Sequence, residues 1–366
     1  MILSDYWPFS ANKCVKWLVL MKKMKILTFN WHEPFLCMLA KTGGSFDVVE
    51  PQLGRGDVRK WDLRARALSQ NMRITPLEKS RQKLEDGCYD LVLCHNFKDM
   101  KEVTPFPVPI ILVFHNKLST ELALGDNSVE REKYLADVAP LANRAETMVF
   151  VSQSKQDDWG FGEGLVIVPG IDPKDFMGYR GDIKKILRVG NRMKERDIMM
   201  GHTLQEKICD SFDSALLGIN PSSGASRPAE SWEELKSSFA GHRLYLNCTL
   251  HPFEDGYNLA MLEAMATGSP VVSWDHPDSP ITNELDGFLS SDIGQIRRYI
   301  TRLLGDINLA RETGARGRET ILEMFDIGRF KASWANAFDA AVKRFENRPI
   351  HNKKRLNPYG TAYDTV

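Results

Sequence analysis

A chain of 366 residues with 48 basic and 48 acidic side chains has no net charge, so it lacks the overall field by which nucleic-acid-binding proteins hold their partner, and no such partner is expected. The length exceeds one compact core and suits two domains of roughly 100–200 residues each. The six cysteines, Cys14, Cys37, Cys88, Cys94, Cys209 and Cys248, form no Cys-x-x-Cys pair and no zinc spacing, which fits a reducing cytoplasm and predicts neither a disulfide framework nor a metal centre.

The first 23 residues contain one apolar run, Cys14–Met21, followed by Lys22 and Lys23. The run is far shorter than the ~20 residues of a membrane span, and no small-residue cleavage site follows it. Residues 1–23 are therefore expected to be a mobile extension outside the fold.

From Met24 short β-branched runs alternate with longer amphipathic stretches, the pattern of βα units around a parallel sheet. Predicted strands of the first half are Ile26–Phe29, Phe46–Val49, Asp90–Cys94, Ile110–Phe114, Met148–Val151 and Val166–Val168. A Pro/Gly/Asp-rich junction near residues 172–181 precedes a second series: Ile186–Val189, Ala215–Gly218, Leu244–Asn247, Val271–Trp274 and Phe288–Leu289. The expected architecture is two Rossmann-like, doubly wound α/β domains, 24–172 and 173–330, with a disordered polar tail over 347–366.

Ligands of such sheets bind beyond the carboxyl ends of the strands, and two facing sheets place the site in the cleft between them. Three first-domain clusters sit at predicted strand ends: Asn30-Trp31-His32-Glu33-Pro34, Cys94-His95-Asn96 and Phe114-His115-Asn116. A single histidine is more often a hydrogen-bonded core or surface residue than a catalyst. Clusters at successive strand ends point to a site, with Trp31, His32, Glu33 and His95 on its first-domain side. Between them, residues 55–83 are locally basic: Arg55, Arg59, Lys60, Arg64, Arg66, Arg73, Lys79, Arg81 and Lys83 face only Asp57, Asp62 and Glu78. Such a run is usually a solvated face; its functional reading is peripheral contact with an anionic membrane, at the cytoplasmic face, or with a phosphorylated lipid.

In the second half, a loop that follows the strand Leu244–Asn247 leads to Asn258, a natural N-cap, and to a helix from Leu259 to Thr267 ended by Gly268. That helix is apolar all round except for Glu263, which predicts a buried helix carrying one carboxylate. A buried carboxylate must be paired or hydrogen-bonded. Sugar hydroxyls are suitable donors, and so is an internal arginine. The helix N-terminus, with Gly256 permitting close backbone approach, offers N–H groups to a pyrophosphate. Farther on, Ile296–Phe345 has helical periodicity, and Phe325, Phe330, Trp334, Phe338 and Phe345 read as a packing stripe.

The segment Asp255-Gly-Tyr-Asn-Leu-Ala-Met-Leu-Glu263-Ala-Met-Ala-Thr-Gly-Ser-Pro-Val-Val272 resembles the Glu-Gly-Phe-Gly-Leu-x-x-Leu-Glu-Ala-Met-Ala-x-Gly-x-Pro-Val-Val motif of retaining glycosyltransferases of the family-4 type, which have the GT-B fold. The first acid is Asp instead of Glu and the second glycine is Asn258, while the spacing of the acids is kept. The resemblance implies that Glu263 holds the donor ribose, that Asp255 binds the transferred sugar, and that Gly256, Tyr257, Asn258 and Leu259 meet the phosphates. Weaker similarity runs from Met24 to about Phe345. Pro109–Asn116 resembles the family's strand ending in a cleft histidine, here His115. Val149–Ser152 resembles an apolar strand ending in Ser, and Val168-Pro-Gly-Ile-Asp172 resembles the hinge motif without its Asn. Leu187-Arg-Val-Gly190-Asn-Arg192-Met-Lys194-Glu-Arg196 resembles the strand and basic loop that clamp donor phosphates, with Arg192, Lys194 and Arg196 competing for the roles. Planar guanidinium groups suit the charge that grows on a leaving diphosphate.

What the resemblance implies is transfer from a nucleotide-sugar co-substrate with retention, without cofactor or metal, and a last helix, 331–346, that returns to the first domain. A nucleotide-sugar epimerase of the same fold and a non-catalytic relative are the alternatives. A dinucleotide oxidoreductase is excluded by Asn30–Pro34, where Gly-x-Gly-x-x-Gly is required.

Overall fold

The computed structural model describes residues 24–349 except 55–56, 126–128, 177 and 225; the predicted N-terminal extension and the tail from 350 onward lie outside the described residues. The first half makes β1 (Lys25–Phe29), β2 (Ser45–Val49), β3 (Gln52–Gly54), β4 (Asp57–Val58), β5 (Met72–Ile74), β6 (Leu91–Cys94), β7 (Ile110–Phe114), β8 (Thr147–Phe150) and β9 (Leu165–Val166). All but the antiparallel pair β3–β4 join one parallel sheet of order β5-β2-β1-β6-β7-β8-β9.

The second half makes β10 (Ile183–Val189), β11 (Ser214–Leu217), β12 (Ser226–Arg227), β13 (His242–Asn247), β14 (Val271–Trp274) and β15 (Phe288–Ser290). These pair in parallel in the order β12-β11-β10-β13-β14-β15. Central strands such as β7, Ile-Ile-Leu-Val-Phe, are buried along their whole length, as sheets covered on both faces require. The short strands β3, β4, β5 and β12 are additions to the sequence reading. Each has only two or three residues, and Arg73 and Arg227 interrupt any apolar pattern.

Strand order reverses between β1 and β6 in one sheet and between β10 and β13 in the other. Those switch points are where crevices open at carboxyl ends. They bring forward the residues after β1, β6, β10 and β13, which include His32, His95, Arg192 and Asp255.

The periodic C-terminal stretch is three helices, Ile293–Gly305, Ile307–Met324 and Ile327–Glu346, capped by the side chains of Asp292, Asp306 and Asp326. Phe325 is buried with Tyr245 and Ile321 of the second domain. Phe330, Trp334 and Phe338 are buried with Ile26, Phe35 and Val113 of the first. The chain therefore crosses between domains at the start of the last helix. The earlier crossing lies beside it: the Ile171 N–H donates to the Phe325 carbonyl at 2.6 Å. A Cβ at Gly170 would lie 2.6 Å from that of Phe330, so only glycine lets the two crossings touch. Beyond the last helix, Arg348 pairs with buried Glu146 at 2.8 Å, so the polar tail is attached at its first residues.

Candidate functional site

The unit after β13 folds as its residues dictate. The Asn258 carboxamide accepts from Met261 N–H at 2.9 Å, capping the helix Leu259–Thr267, and donates to Asn247 Oδ1 at 3.0 Å. Tyr257 meets Phe325 edge to face, with ring centroids 5.0 Å apart. Gly256 has a different neighbour from the one expected: a Cβ there would meet Ser279 N at 2.5 Å, so the close approach it permits is to the chain's own 278–279 backbone.

Glu263 lies on the buried helix, and its carboxylate accepts from Arg66 of the first domain. The Arg66 guanidinium lies 3.3 Å from the Trp232 ring centroid, close enough for cation–π attraction. Burial raises the Glu263 carboxyl above its ordinary range, and the Arg66 charge only partly offsets this. A cavity of about 40 Å³ remains, bounded by Lys41, Arg66, Asp172, Trp232, Leu259 and Glu263.

Asp255 is also buried at the seam. Its Oδ1 accepts from Ser152 Oγ at 3.0 Å and from Ser154 Oγ, and its Oδ2 accepts from Lys155 Nζ. Lys155 also donates to Glu254 Oε1 at 2.7 Å. Burial alone would lower the Lys155 pKa, but Glu254 and Asp255 outweigh it and hold the ammonium above the ordinary lysine value. Burial likewise pushes Asp255 up, and Lys155 with the two serines brings it below the usual carboxylate range. Around this pair, Thr120 Oγ1 donates to the Phe253 carbonyl and Lys117 lies 3.9 Å from Asp278. Both acids of the sequence motif thus meet basic groups of the other domain.

The first-domain wall holds a chain of imidazoles. Thr28 Oγ1 contacts His95 Nε2 at 2.8 Å, and His95 Nδ1 contacts His115 Nε2 at 2.8 Å. Burial holds His95 down at about 3. Burial, then His95, His32 and Lys155, holds His115 well below the imidazole range. The neutral rings share one proton between them, so each fixes the tautomer of the other. Beside them, burial raises Asp99 to about 7 while the Trp31 indole donates to its two oxygens at 2.9 and 3.0 Å.

These shifts act with opposite signs on stability. His95 binds its proton more weakly in the folded chain, so its contribution is complete above the ordinary value of 6.5 and is lost as pH falls toward about 3. Asp99, with its folded value raised from 3.8 to about 7, gains stability as pH falls through that window. His95→Gln is therefore expected to flatten the acid limb, by up to about 1.4 kcal/mol per pH unit. Urea melts of both proteins between about pH 6.5 and 4 check this; parallel limbs would contradict it.

Of the other first-domain residues expected on the acceptor side, Glu33 is engaged by Arg59 at 3.0 Å and by Asn30 at 3.1 Å, and so fastens the loop after β4 to the sheet. Trp31 is tied to Asp99, and His95 stands behind His115. His32 is the most exposed of these; desolvation by the cleft walls, then Arg59, Arg66 and Arg196, holds it below the imidazole range. In the basic loop, Arg192 adopts a left-handed backbone with φ of 52°, and Arg192 and Lys194 are exposed. Arg196 is half-buried and donates to the Asn191 carbonyl at 2.7 Å; burial lowers its pKa, with Glu254 opposing.

The basic stretch is mostly neutralised by carboxylates that sequence spacing does not reveal. Arg59 pairs with Glu33, Lys60 with Glu50, Arg66 with Glu263, Arg73 and Lys83 with Asp47, and Arg81 with Glu102. Arg55 lies outside the described residues. The stretch therefore presents less unopposed positive charge than its composition suggests. Among the described residues no helix is long and apolar enough to cross a membrane.

Sequence reasoning missed Lys155 and Trp232, and it read Arg66 as part of the basic stretch without identifying it as the arginine that meets Glu263. Lys155 had a signal: it stands in the first turn of the helix Gln153–Trp159, capped by Ser152, where a cation opposes the helix dipole and needs a carboxylate. Arg66 had none, being 197 residues from its partner.

A scan against models of known protein families finds no match. The poly(ribitol-phosphate) alpha-N-acetylglucosaminyltransferase of Staphylococcus aureus (strain COL) is 31% identical over 91 residues, covering 24% of this chain and 18% of that protein. Among solved structures, TarM superposes with a TM-score of 0.53 at 16% identity, covering 68% of this chain and 54% of TarM. Sucrose-phosphate synthase from Thermosynechococcus elongatus gives 0.62 at 14% identity, covering 87% and 98%. Anabaena Alr3699/HepE, in complex with UDP and glucose, gives 0.63 at 14% identity, covering 87% and 100%. The chain spans about half of TarM and under a fifth of the curated relative. Two parallel α/β sheets facing one seam, shared with these neighbours, give the chain the GT-B fold.

Proposed function

We propose that the protein is a glycosyltransferase that moves a sugar, with retention, from a nucleotide-sugar donor to an acceptor held by the first domain. The observation that carries this reading is Glu263: a carboxylate buried on an otherwise apolar helix, facing the other domain at a GT-B seam. In this reading Glu263 takes the ribose hydroxyls and Asp255 the hydroxyls of the transferred sugar. The helix N-terminus at Asn258–Leu259, with Arg192, Lys194 and Arg196, takes the diphosphate, and His115 lines the sugar pocket. No resident cofactor is required, the nucleotide sugar being a co-substrate. UDP-sugars are the first donors to test, because HepE has been solved with UDP-glucose and a TarM variant with UDP.

The specific observation favouring a non-catalytic relative is the saturation of Asp255 by Lys155, Ser152 and Ser154. Release of nucleoside diphosphate from UDP-glucose, UDP-N-acetylglucosamine, GDP-mannose and ADP-glucose separates the readings. The transferase is expected to release it from one donor by slow transfer of the sugar to water, and Arg196→Ala to slow that release at least about tenfold. Nucleotide binding without release from any donor would favour the binding protein.

A further inference from the structure

We propose that Arg66 is an internal ligand of the donor seat: its guanidinium occupies the place between Trp232 and Glu263 that the donor's nucleoside takes, so the two compete. The inference rests on the donor role of Glu263 and adds a first-domain residue that sets donor affinity.

The geometry resembles a bound nucleoside in both of its contacts. A planar group stacks on an aromatic ring, 3.3 Å from the Trp232 centroid, and polar hydrogens of the same group reach a buried carboxylate. A nucleoside makes the same pair of contacts with its base and its ribose hydroxyls. The Arg66 and Glu263 side chains are 11% and 9% exposed, so each seals the other from water. With Arg66 in place the cavity is about 40 Å³, far below the ~300 Å³ or more of a small-molecule site. Donor binding through Glu263 therefore requires Arg66 to leave.

Besides Glu263, the Arg66 guanidinium donates at 2.7 Å to the Ala65 carbonyl of its own loop, a bond that its departure must also release. The surrounding loop is fastened independently: the Trp61 N–H donates to Glu50 at 2.8 Å, the Trp61 indole to the Arg66 carbonyl at 2.8 Å, and Arg59 pairs with Glu33.

Apparent affinity falls by the fraction of time the seat is open, so a seat open about a tenth of the time weakens binding about tenfold. Isothermal titration of the full chain with UDP, GDP and ADP tests this in wild type, Arg66→Ala and Arg66→Met. The methionine variant keeps an apolar stem against Trp232 in case alanine disturbs folding. The expected result is that the nucleotide bound by wild type binds about tenfold more tightly to the variants. Equal affinity overturns the competition. Weaker binding also overturns it, and would make Arg66 a donor contact. Absence of binding in all the proteins, each folded by circular dichroism, removes the donor site itself and the competition with it.

Discussion

Lys155→Met is expected to destabilise the chain by about 3–5 kcal/mol, the usual cost of removing one partner from a buried ion pair. The Lys155 side chain is 4% exposed and its partners Glu254 and Asp255 are 12% and 3% exposed, so water cannot take its place. Methionine preserves the stem, which isolates the loss of charge from loss of packing. The comparison that gives the number meaning is Lys41→Met. Lys41 also bridges toward the hinge, at 2.7 Å from both Asp172 and Asp175, but it is 29% exposed and its partners are 21% and 42% exposed. A pair so placed contributes about 0–1 kcal/mol. Denaturant midpoints of the two variants should therefore separate clearly. A Lys155→Met midpoint equal to that of wild type would mean that the domains stand apart in solution and that the seam is not formed.

The same contrast explains what was legible in the sequence. Local patterns sufficed wherever burial is continuous: the apolar runs of β1, β6, β7 and β13, the Asn258 cap, and the isolated Glu263 on an apolar helix. The carboxylate motif could be located because its chemistry lies within one strand–loop–helix unit. What was not legible depends on tertiary partners. Glu33 and Trp31 stand at a strand end like ligand-binding residues, yet Arg59 and Asp99 engage them, because a loop crossing a sheet edge must be held there. The basic run over 55–83 reads as a patch only until Asp47, Glu50 and Glu102 are brought alongside. The edge strands β5 and β12 are too short for periodicity to register and owe their extended form to one neighbour each.

Glu263→Ala is the second large effect expected. A carboxylate that accepts hydroxyl hydrogens in a water-poor seat contributes about 1.5–3 kcal/mol per charged hydrogen bond, so its loss should weaken nucleotide binding about 100-fold. The substitution also frees Arg66, and on its own that release favours binding; making the change in the Arg66→Ala background removes the offset and exposes the full loss. Alanine at 263 keeps helix propensity and leaves the caps at Asn258 and Gly268 untouched, so the variant should retain its far-ultraviolet circular dichroism.

Titration of UDP, GDP, ADP and dTDP into wild type and Glu263→Ala by isothermal calorimetry is the most direct measurement of the central claim, that this GT-B seam holds a nucleotide-sugar donor through Glu263. The account predicts that wild type binds one of these nucleotides and that the folded variant binds it at least about tenfold more weakly. Undiminished binding by Glu263→Ala, or no binding of any of the four by folded wild type, would contradict it.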